Sequence, residues 1–420
     1  QHKRKNMESV KIRLIVMNFL QFFIWGSWLI SLGAYMGGSL GFEGGQIGAI
    51  FATLGIASLF MPGVVGIVAD KWVNAERLYG FCHLVGACAL YWASTVQSYD
   101  MMYWIMLLNM MVYMPTLALT NTISYNALTK ARLDVVKDFP PIRVWGTIGF
   151  ICAMWTVDLS GISRTNGQLY VAAAAAFLLA LYSFSLPACP PSRNGEKKSL
   201  MSAMGLDALV LFKKKKMAIF FIFSMLLGGA LQITNAFGGS FLDSFKSIPE
   251  YADSFGVQHP NILLSVSQMS ETLFILAIPF FLSRFGIKKV MLISMLAWVL
   301  RFGLFGIGNP GGIGMIWLVL SMIVYGMAFD FFNISGSLFV EKETDVSIRA
   351  SGQGLFMMMT NGFGAVFGSY AAGMVVDSFT KDGVTDWSNC WFIFAGYALV
   401  VAVLFSIIFR YKHTPEVNNK

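Results

Sequence analysis

Residues 138–150 read Asp-Phe-Pro-Pro-Ile-Arg-Val-Trp-Gly-Thr-Ile-Gly-Phe, a stretch that carries an arginine from a polar loop into an apolar segment. Proline suits the first turn of a helix, where its missing N–H is not needed, so the sequence predicts that a helix begins at this proline pair. One face of that helix would carry Arg143, Thr147 and Phe150. Because an unpaired charge facing lipid is costly, we expect this face to point at protein or at a water-filled cavity. Snorkelling of Arg143 to the headgroups is the alternative.

The composition identifies an integral membrane protein. Of the 420 residues, 56% are hydrophobic and 12% are charged, whereas soluble domains carry about 25% charged residues. The net charge of +8 does not indicate a nucleic-acid partner, because the lysines and arginines lie between apolar segments, where they set topology and meet the headgroups of the lipid bilayer. The sequence contains no nucleophile elbow, phosphate-binding glycine loop or cluster of metal ligands. We therefore expect neither an enzyme with catalytic residues nor a cofactor or metal site.

Twelve apolar runs along the chain are long enough to span a bilayer, which takes roughly twenty residues. They lie at about 12–36, 46–69, 76–96, 101–127, 141–160, 168–187, 217–243, 261–283, 289–308, 312–341, 350–377 and 389–410. Nearly all of the 30 lysines and arginines fall at the termini and in the loops of one side, and the loops of the other side carry Arg164, Lys246 and Lys381. By the positive-inside rule, we expect both termini in the cytoplasm.

A cytosolic linker at about residues 188–216 divides the predicted spans into two six-helix halves, residues 1–187 and 217–420. Four lysines at the end of this linker are interpreted as a positive-inside anchor, with binding of anionic lipid as the alternative. Charged turns occupy matching positions in the two halves: GIVADK at 66–71 joins helices two and three, and SRFGIKK at 283–289 joins helices eight and nine. Such matching turns are typical of a transporter built from parallel repeats.

Three apolar segments of the second half each carry a pair of polar or aromatic residues at a spacing that puts both on one helix face. The pairs are Gln232 and Asn235, Gln268 and Glu271, and Tyr325 and Phe329. Polar side chains in a bilayer either mark a solute path or hold helices together by mutual hydrogen bonds. A carboxylate and Arg143 beside the amides favour the solute path. The stripe of Gln21, Trp25 and Trp28 in the first half is interpreted as packing.

These residue types fit a neutral, polar and partly planar solute. Amides offer a donor and an acceptor together, which suits nucleobase edges and sugar hydroxyls. Aromatic rings suit a flat heteroaromatic face, and a carboxylate suits vicinal hydroxyls. The apolar segments carry no cluster of lysines or arginines of the kind that binds phosphate. A nucleoside fits best, and a sugar is the alternative.

Six stretches carry a resemblance to a known family: FLQFFIWGSWL (19–29), YMPTLALTNTISY (113–125), DFPPIRVWGTIGF (138–150), AIFFIFSMLLGGALQITN (218–235), SQMSETLFILAIPFFLSRFGIKKV (267–290) and IVYGMAFDFFNISGSLFVEKE (323–343). They are similar to the bacterial nucleoside:proton symporters of the major facilitator superfamily. The resemblance implies an all-α membrane protein of twelve transmembrane helices, arranged as two pseudo-symmetric six-helix bundles. It further implies uptake of nucleosides with protons across the bacterial inner membrane, which we expect to proceed by alternating access. We also expect the protein to work as a monomer.

The resemblance also implies a central binding site near the bilayer midplane. Its contributors would be Arg143, Thr147, Phe150, Gln232, Asn235, Gln268, Glu271, Tyr325 and Phe329. A symporter needs in addition a group that changes protonation as the cavity changes access, and the candidates are Asp330 and Glu271. Asp330 is the preferred proton carrier, and Glu271 is the preferred solute ligand. An ion pair of Asp330 with Arg301 or Arg143, or a helix-end contact, is the alternative role.

Overall fold

Apolar segments of the chain form long helices in the computed structural model, which describes residues 1–191 and 206–412. A helix satisfies its backbone groups internally, as the hydrocarbon core of a bilayer requires. The helices in residues 1–191 are α1 (His2–Gly26), α2 (Leu32–Ala34), α3 (Gly44–Lys71), α4 (Ala75–Thr95), α5 (Tyr99–Lys130), α6 (Val135–Leu159) and α7 (Gly167–Tyr182). Those in residues 206–412 are α8 (Lys215–Asp243), α9 (Phe255–Gln258), α10 (Pro260–Ile307), α11 (Ile313–Glu343), α12 (Arg349–Met357), α13 (Ala365–Ser378) and α14 (Trp387–Ile408).

Shorter elements extend or connect these helices. They are the π-helical segments Tyr35–Ser39 and Met358–Gly364, the 3-10 turns Ser183–Ser185, Leu206–Lys213 and Ser244–Ser247, and the strands β1 (Thr380–Lys381) and β2 (Val384–Thr385). The two strands pair antiparallel, with Thr380 opposite Thr385. They form a small ribbon in the loop before the last span.

The prediction of twelve spans is confirmed. Nine helices of the described ranges are long and apolar enough to cross a bilayer. One of them, α10, is 48 residues long and contains two spans, which meet at Gly286, where a φ of 81° and a ψ of 170° interrupt the helical path. Glycine adopts this positive φ without the strain that a Cβ would add. Helix α4 and the run formed by α12, the π-helical segment and α13 supply the remaining two spans.

Helix α6 begins earlier than the sequence predicts, and its two prolines lie inside the helix. The reason is the cap at Asp134, whose carboxylate accepts a 3.1 Å hydrogen bond from a backbone N–H of the first turn. The Asp138 carboxylate accepts a second bond from the N–H of Asp134 (3.1 Å) and pairs with Lys11 of α1 (3.2 Å). The prediction that the helix starts at the prolines is therefore wrong, and Arg143 lies in its third turn.

The chain divides into two compact units. The first comprises Gln1–Gly41 and Ile56–Met204, and the second comprises Phe42–Gly55 and Gly205–Lys420. The first part of α3 thus belongs to the second unit, where a Cβ on Gly48 would come within 2.4 Å of the backbone oxygen of Ser369 in α13. The predicted halves, 1–187 and 217–420, place all of α3 in the first half, and their limits stay a prediction. Residues 192–205 of the predicted linker lie outside the described residues.

The core of the second unit is aromatic. Phe302 and Phe305 of α10 pack on the fully buried Trp391 of α14, with ring centroids 6.1 and 4.9 Å away. Phe241 of α8 meets the same indole edge-on at 5.5 Å. Aromatic pairs at these distances add to the free energy of area burial, so they fix α8, α10 and α14 against one another.

Candidate functional site

In the first unit, the side chain of Gln21 joins three helices. Its amide Nε2 donates a 2.8 Å hydrogen bond to Thr116 of α5. Its Oε1 accepts one from the Tyr79 hydroxyl of α4 (2.6 Å) and lies 2.8 Å from Nε2 of His83, which donates when that nitrogen carries the proton. The backbone oxygen of Gln21 accepts a further bond from the Tyr113 hydroxyl (2.7 Å). These bonds tie α1 to α4 and α5 in the interior of the unit.

The aromatic residue one turn beyond Gln21 lies on this network. The Trp25 ring is 5.5 Å from that of Tyr113 and meets Phe150 of α6 edge-on at 6.3 Å. Its indole Nε1 is buried and has no hydrogen-bond partner among the described residues. The stripe interpreted as packing therefore contains both a hydrogen-bonded amide and an aromatic contact to a predicted site residue.

The face of α6 that carries Arg143 is turned toward α1. The guanidinium lies 4.0 Å from the centroid of the Phe22 ring, a cation–π contact. The backbones approach closely here, because a Cβ on Gly149 would lie 2.2 Å from the backbone oxygen of Phe19. Arg143 and Thr147 are half-buried on this face. The contact with Phe22 agrees with the expectation that the arginine faces protein.

In the second unit, two predicted site residues stack on each other. The rings of Tyr325 and Phe329 in α11 are 5.9 Å apart and 9° from parallel. Trp298 of α10 meets Tyr325 edge-on at 6.0 Å, and the Arg301 guanidinium lies 4.6 Å from the centroid of the same ring. Tyr325 is thus enclosed on several sides, whereas Phe329 is half-buried.

Arg301 is a buried cation held by neutral groups. Its Nη1 donates to the hydroxyl of Ser267 and to the backbone oxygen of Ser321, both at 3.2 Å. The guanidinium also lies 5.0 Å from the ring of Phe305. Within the part of the second unit that the structure describes, it forms no ion pair, so the alternative role of Asp330 as its partner is not observed.

The two carboxylates predicted to couple protons interact with each other. Asp330 is 3% exposed, and its Oδ2 is buried without a hydrogen-bond partner among the described residues. Glu271 of α10 is half-buried and interacts electrostatically with both Asp330 and Tyr325. Asp330 also lies well inside α11, which does not fit a helix-end contact. The structure therefore brings Glu271, Tyr325, Phe329 and Asp330 into one neighbourhood.

The predicted amides are distributed over two helices of the second unit. Gln232 of α8 is 4% exposed, and its Oε1 is buried and unbonded. Asn235 and, on α10, Gln268 are half-buried. No hydrogen bond joins any two of these three amides in the described parts of the chain, so they do not hold helices together by bonding one another.

A cavity of about 40 Å³ lies within the second unit, beside Phe329. Its lining comes from α8, α10, α11 and the π-helical segment, and comprises Leu227, Gly228, Leu231, Trp298, Ala328, Phe329, Phe332, Asn333, Thr360 and Asn361. Sequence reasoning selected only Phe329 from this set. It also missed the partners of Gln21, because isolated polar residues on separate helices give no periodic signal.

These features define the class of the protein. Twelve spans in two units, with an unpaired buried carboxylate, unbonded amides and stacked rings inside the membrane segments, are the arrangement of a secondary transporter. The described residues contain no group of histidines, cysteines or carboxylates that could hold a metal ion.

Comparison with known proteins identifies the family. A family model described as "Nucleoside H+ symporter" matches residues 7–414, and the chain belongs to this family. The xanthosine permease of Escherichia coli (strain K12) is 58% identical, over 97% of this chain and 98% of that protein. The nucleoside permease NupG of the same strain is 56% identical, over 96% and 97% of the two chains. A crystal structure of nucleoside transporter NupG, 56% identical, superposes with a TM-score of 0.92 and covers 96% of this chain and 100% of that one. The fold is that of the major facilitator transporters.

Proposed function

We propose that this chain carries nucleosides across the bacterial inner membrane together with protons, by alternating access to a central site. The observation that carries the proposal is the neighbourhood on α11, where the Tyr325–Phe329 stack lies beside the buried carboxylate of Asp330 and close to Glu271. A flat ring stack suits a nucleobase, and a carboxylate suits the vicinal hydroxyls of a ribose. Membership of the nucleoside H+ symporter family supports the same solute and coupling ion.

The remaining predicted residues take roles that follow from their chemistry. In the described parts of the chain, no hydrogen bond joins the amides of Gln232, Asn235 and Gln268 to one another. These amides are therefore available to hydrogen-bond the solute. In the first unit, Phe150 offers an aromatic face and Thr147 a hydroxyl, and Arg143 offers a planar cation held over Phe22. Lysine would not reproduce that planar group.

Asp330 is proposed as the proton carrier and Glu271 as the solute ligand. A carboxylate in a membrane span needs a partner or a proton, and Oδ2 of Asp330 has no hydrogen-bond partner among the described residues. Its protonation can therefore follow the state of the cavity without breaking a structural bond. The interaction with Glu271 links that proton to the carboxylate that would meet the solute.

Orientation and assembly complete the proposal. A cytoplasmic location of both termini is part of the proposal, and the concentration of lysine and arginine in the loops of one side supports it by the positive-inside rule. Each unit has its own packed interior, and the protein is proposed to work in the lipid bilayer as a monomer.

The experiment is uptake into proteoliposomes with an imposed proton gradient. Labelled uridine should accumulate when the outside is acidic and should stop accumulating when a protonophore is added. Unlabelled nucleosides should compete, and free ribose and glucose should not. Accumulation that is unchanged by the protonophore would exclude proton coupling. Competition by sugars but not by nucleosides would exclude a nucleoside as the solute.

A further inference from the structure

One face of α11 continues beyond the stacked rings. Tyr325, Phe329 and Asn333 follow at intervals of four residues, so they share a face over about 12 Å of helix. Glu271 interacts electrostatically with Tyr325 and with Asp330, which directly follows Phe329. The 40 Å³ cavity borders Phe329 and Asn333. Carboxylates thus accompany the Tyr325–Phe329 part of the helix, and the Asn333 end borders a cavity that carries neutral amides.

The far wall of the cavity is a π-helical segment, Met358–Gly364, packed against α8. A Cβ on Gly228 would lie 2.2 Å from the backbone oxygen of Thr360, so glycine is needed for this close approach. The approach brings Thr360 and Asn361 to the cavity. π-Helical turns inside longer helices are frequent at functional sites.

The polar groups at the cavity have unused hydrogen-bonding capacity. The amide nitrogen of Asn361 has one contact, to the sulfur of Met357 at 3.9 Å, and thioether sulfur is a weak acceptor. The Asn333 side chain is exposed, and no hydrogen bond joins it to a described residue. The Thr360 hydroxyl donates to the backbone oxygen of Phe356 (3.0 Å), which leaves its lone pairs to accept.

The size of the cavity limits what enters it. One water molecule needs a cavity volume of about 10–15 Å³. A cavity of 40 Å³ therefore admits a few small polar groups. A whole ligand takes a pocket of several hundred Å³. The apolar walls include the rings of Trp298 and Phe329, which suit the flat face of a heterocycle.

We propose that this cavity receives the exocyclic amino and oxo groups of the nucleobase, with the amides of Asn333 and Asn361 as their hydrogen-bond partners. The base lies against Phe329, and the ribose lies toward Tyr325 and Glu271. This inference rests on the proposed function. It adds which part of the nucleoside, the base or the ribose, each end of the α11 face recognises.

The test combines removal of a side-chain amide from the protein with removal of the exocyclic groups from the nucleobase. Guanosine carries an exocyclic amino and an oxo group, and purine riboside carries neither. The dissociation constant of each is measured on the purified full-length protein for the wild type, Asn333→Ala and Asn361→Ala. Each variant should bind guanosine about ten- to a hundredfold more weakly. Binding of purine riboside should change by no more than about twofold. The reason is that the free-energy effects of two deletions are additive unless the deleted groups interact with each other.

A second substitution and a control separate recognition from damage. Asn361→Leu keeps the side-chain volume and removes the amide, so it should reproduce the loss for guanosine. Asn126→Ala removes an amide from α5 in the first unit and should leave the ratio of the two dissociation constants unchanged. Equal losses for both solutes, or unchanged binding of guanosine, would overturn the inference. If wild-type protein binds and accumulates no nucleoside at all, the proposed function itself fails.

Discussion

The rings of Tyr325 and Phe329 lie parallel to within 9°, one helical turn apart, with the Arg301 guanidinium against the buried ring of Tyr325. Arg301 is itself fixed by Ser267 and by the backbone of Ser321. The stack is therefore in contact with a buried cation whose hydrogen bonds come from neutral groups, without a carboxylate. This leaves Asp330, the next residue along α11, without a structural ion pair in its described surroundings.

The first prediction concerns proton coupling. Asp330→Asn should abolish proton-driven accumulation of nucleoside and keep counterflow exchange, because the solute contacts remain while the proton carrier is lost. Glu271→Gln should weaken both, because the carboxylate is proposed to hold the solute. Uptake against pH and counterflow in proteoliposomes measure the two activities separately.

A matched control is Asp253→Asn, which changes an exposed carboxylate in the loop before α9 and should leave both activities unchanged. If Asp330→Asn and Glu271→Gln both still accumulate nucleoside on a proton gradient, neither residue carries the proton. A loss of counterflow in Asp330→Asn would instead assign that residue to solute binding.

The second prediction concerns Arg143. Arg143→Ala should abolish uptake while the protein still reaches the membrane, because the residue organises polar contacts on the α6 face from its place over Phe22. Arg143→Lys should rescue poorly, since an ammonium lacks the planar fork of a guanidinium. Uptake is normalised to the amount of protein in membrane vesicles. Lys137→Ala, an exposed cation on the same helix, is the control, and near-normal transport by Arg143→Ala would return Arg143 to the snorkelling role.

The third prediction concerns the amides and Glu271. Alanine at Gln232, Asn235, Gln268 or Glu271 should each weaken nucleoside binding by about ten- to a hundredfold, equivalent to roughly 1–3 kcal/mol. The physical reason is the loss of a hydrogen bond to a solute that has left water. Isothermal titration of purified protein gives the dissociation constants. If all four variants bind as the wild type does, the assigned site is wrong.

The fold could be read from the sequence because a bilayer dictates its elements. Hydrocarbon thickness sets the length of each apolar run, and the helical repeat puts Gln232 with Asn235 and Tyr325 with Phe329 on common faces. The start of α6 was mispredicted because the capping bond of Asp134 decides it, rather than the general preference of proline for a first turn. A local rule of that kind cannot show which of two competing signals prevails.

The tertiary partners of the site lay beyond the reach of sequence reasoning. Tyr79, His83 and Thr116 stand on two other helices from Gln21, and each is a single polar residue in an apolar run. The π-helical segment that brings Asn361 to the cavity is rich in poor helix formers, but this composition does not distinguish a π turn from a helix end. Such contacts follow from how helices pack, which periodicity within one helix does not encode.

The last prediction concerns the Gln21 network. Gln21→Leu keeps the side-chain size but leaves Thr116, Tyr79 and His83 without their shared partner, so the folded state should lose about 1–3 kcal/mol. Tyr79→Phe removes the bond to Gln21 and a longer one from Thr120 (3.4 Å), and it leaves Oε1 of Gln21 beside His83, so its loss of stability should be smaller. Thermal unfolding in detergent ranks the variants, with Gln97→Leu at an exposed position as the control. Equal stability of Gln21→Leu and the wild type would mean that these bonds contribute nothing net. A larger loss for Tyr79→Phe than for Gln21→Leu would place the centre of the network at the tyrosine instead.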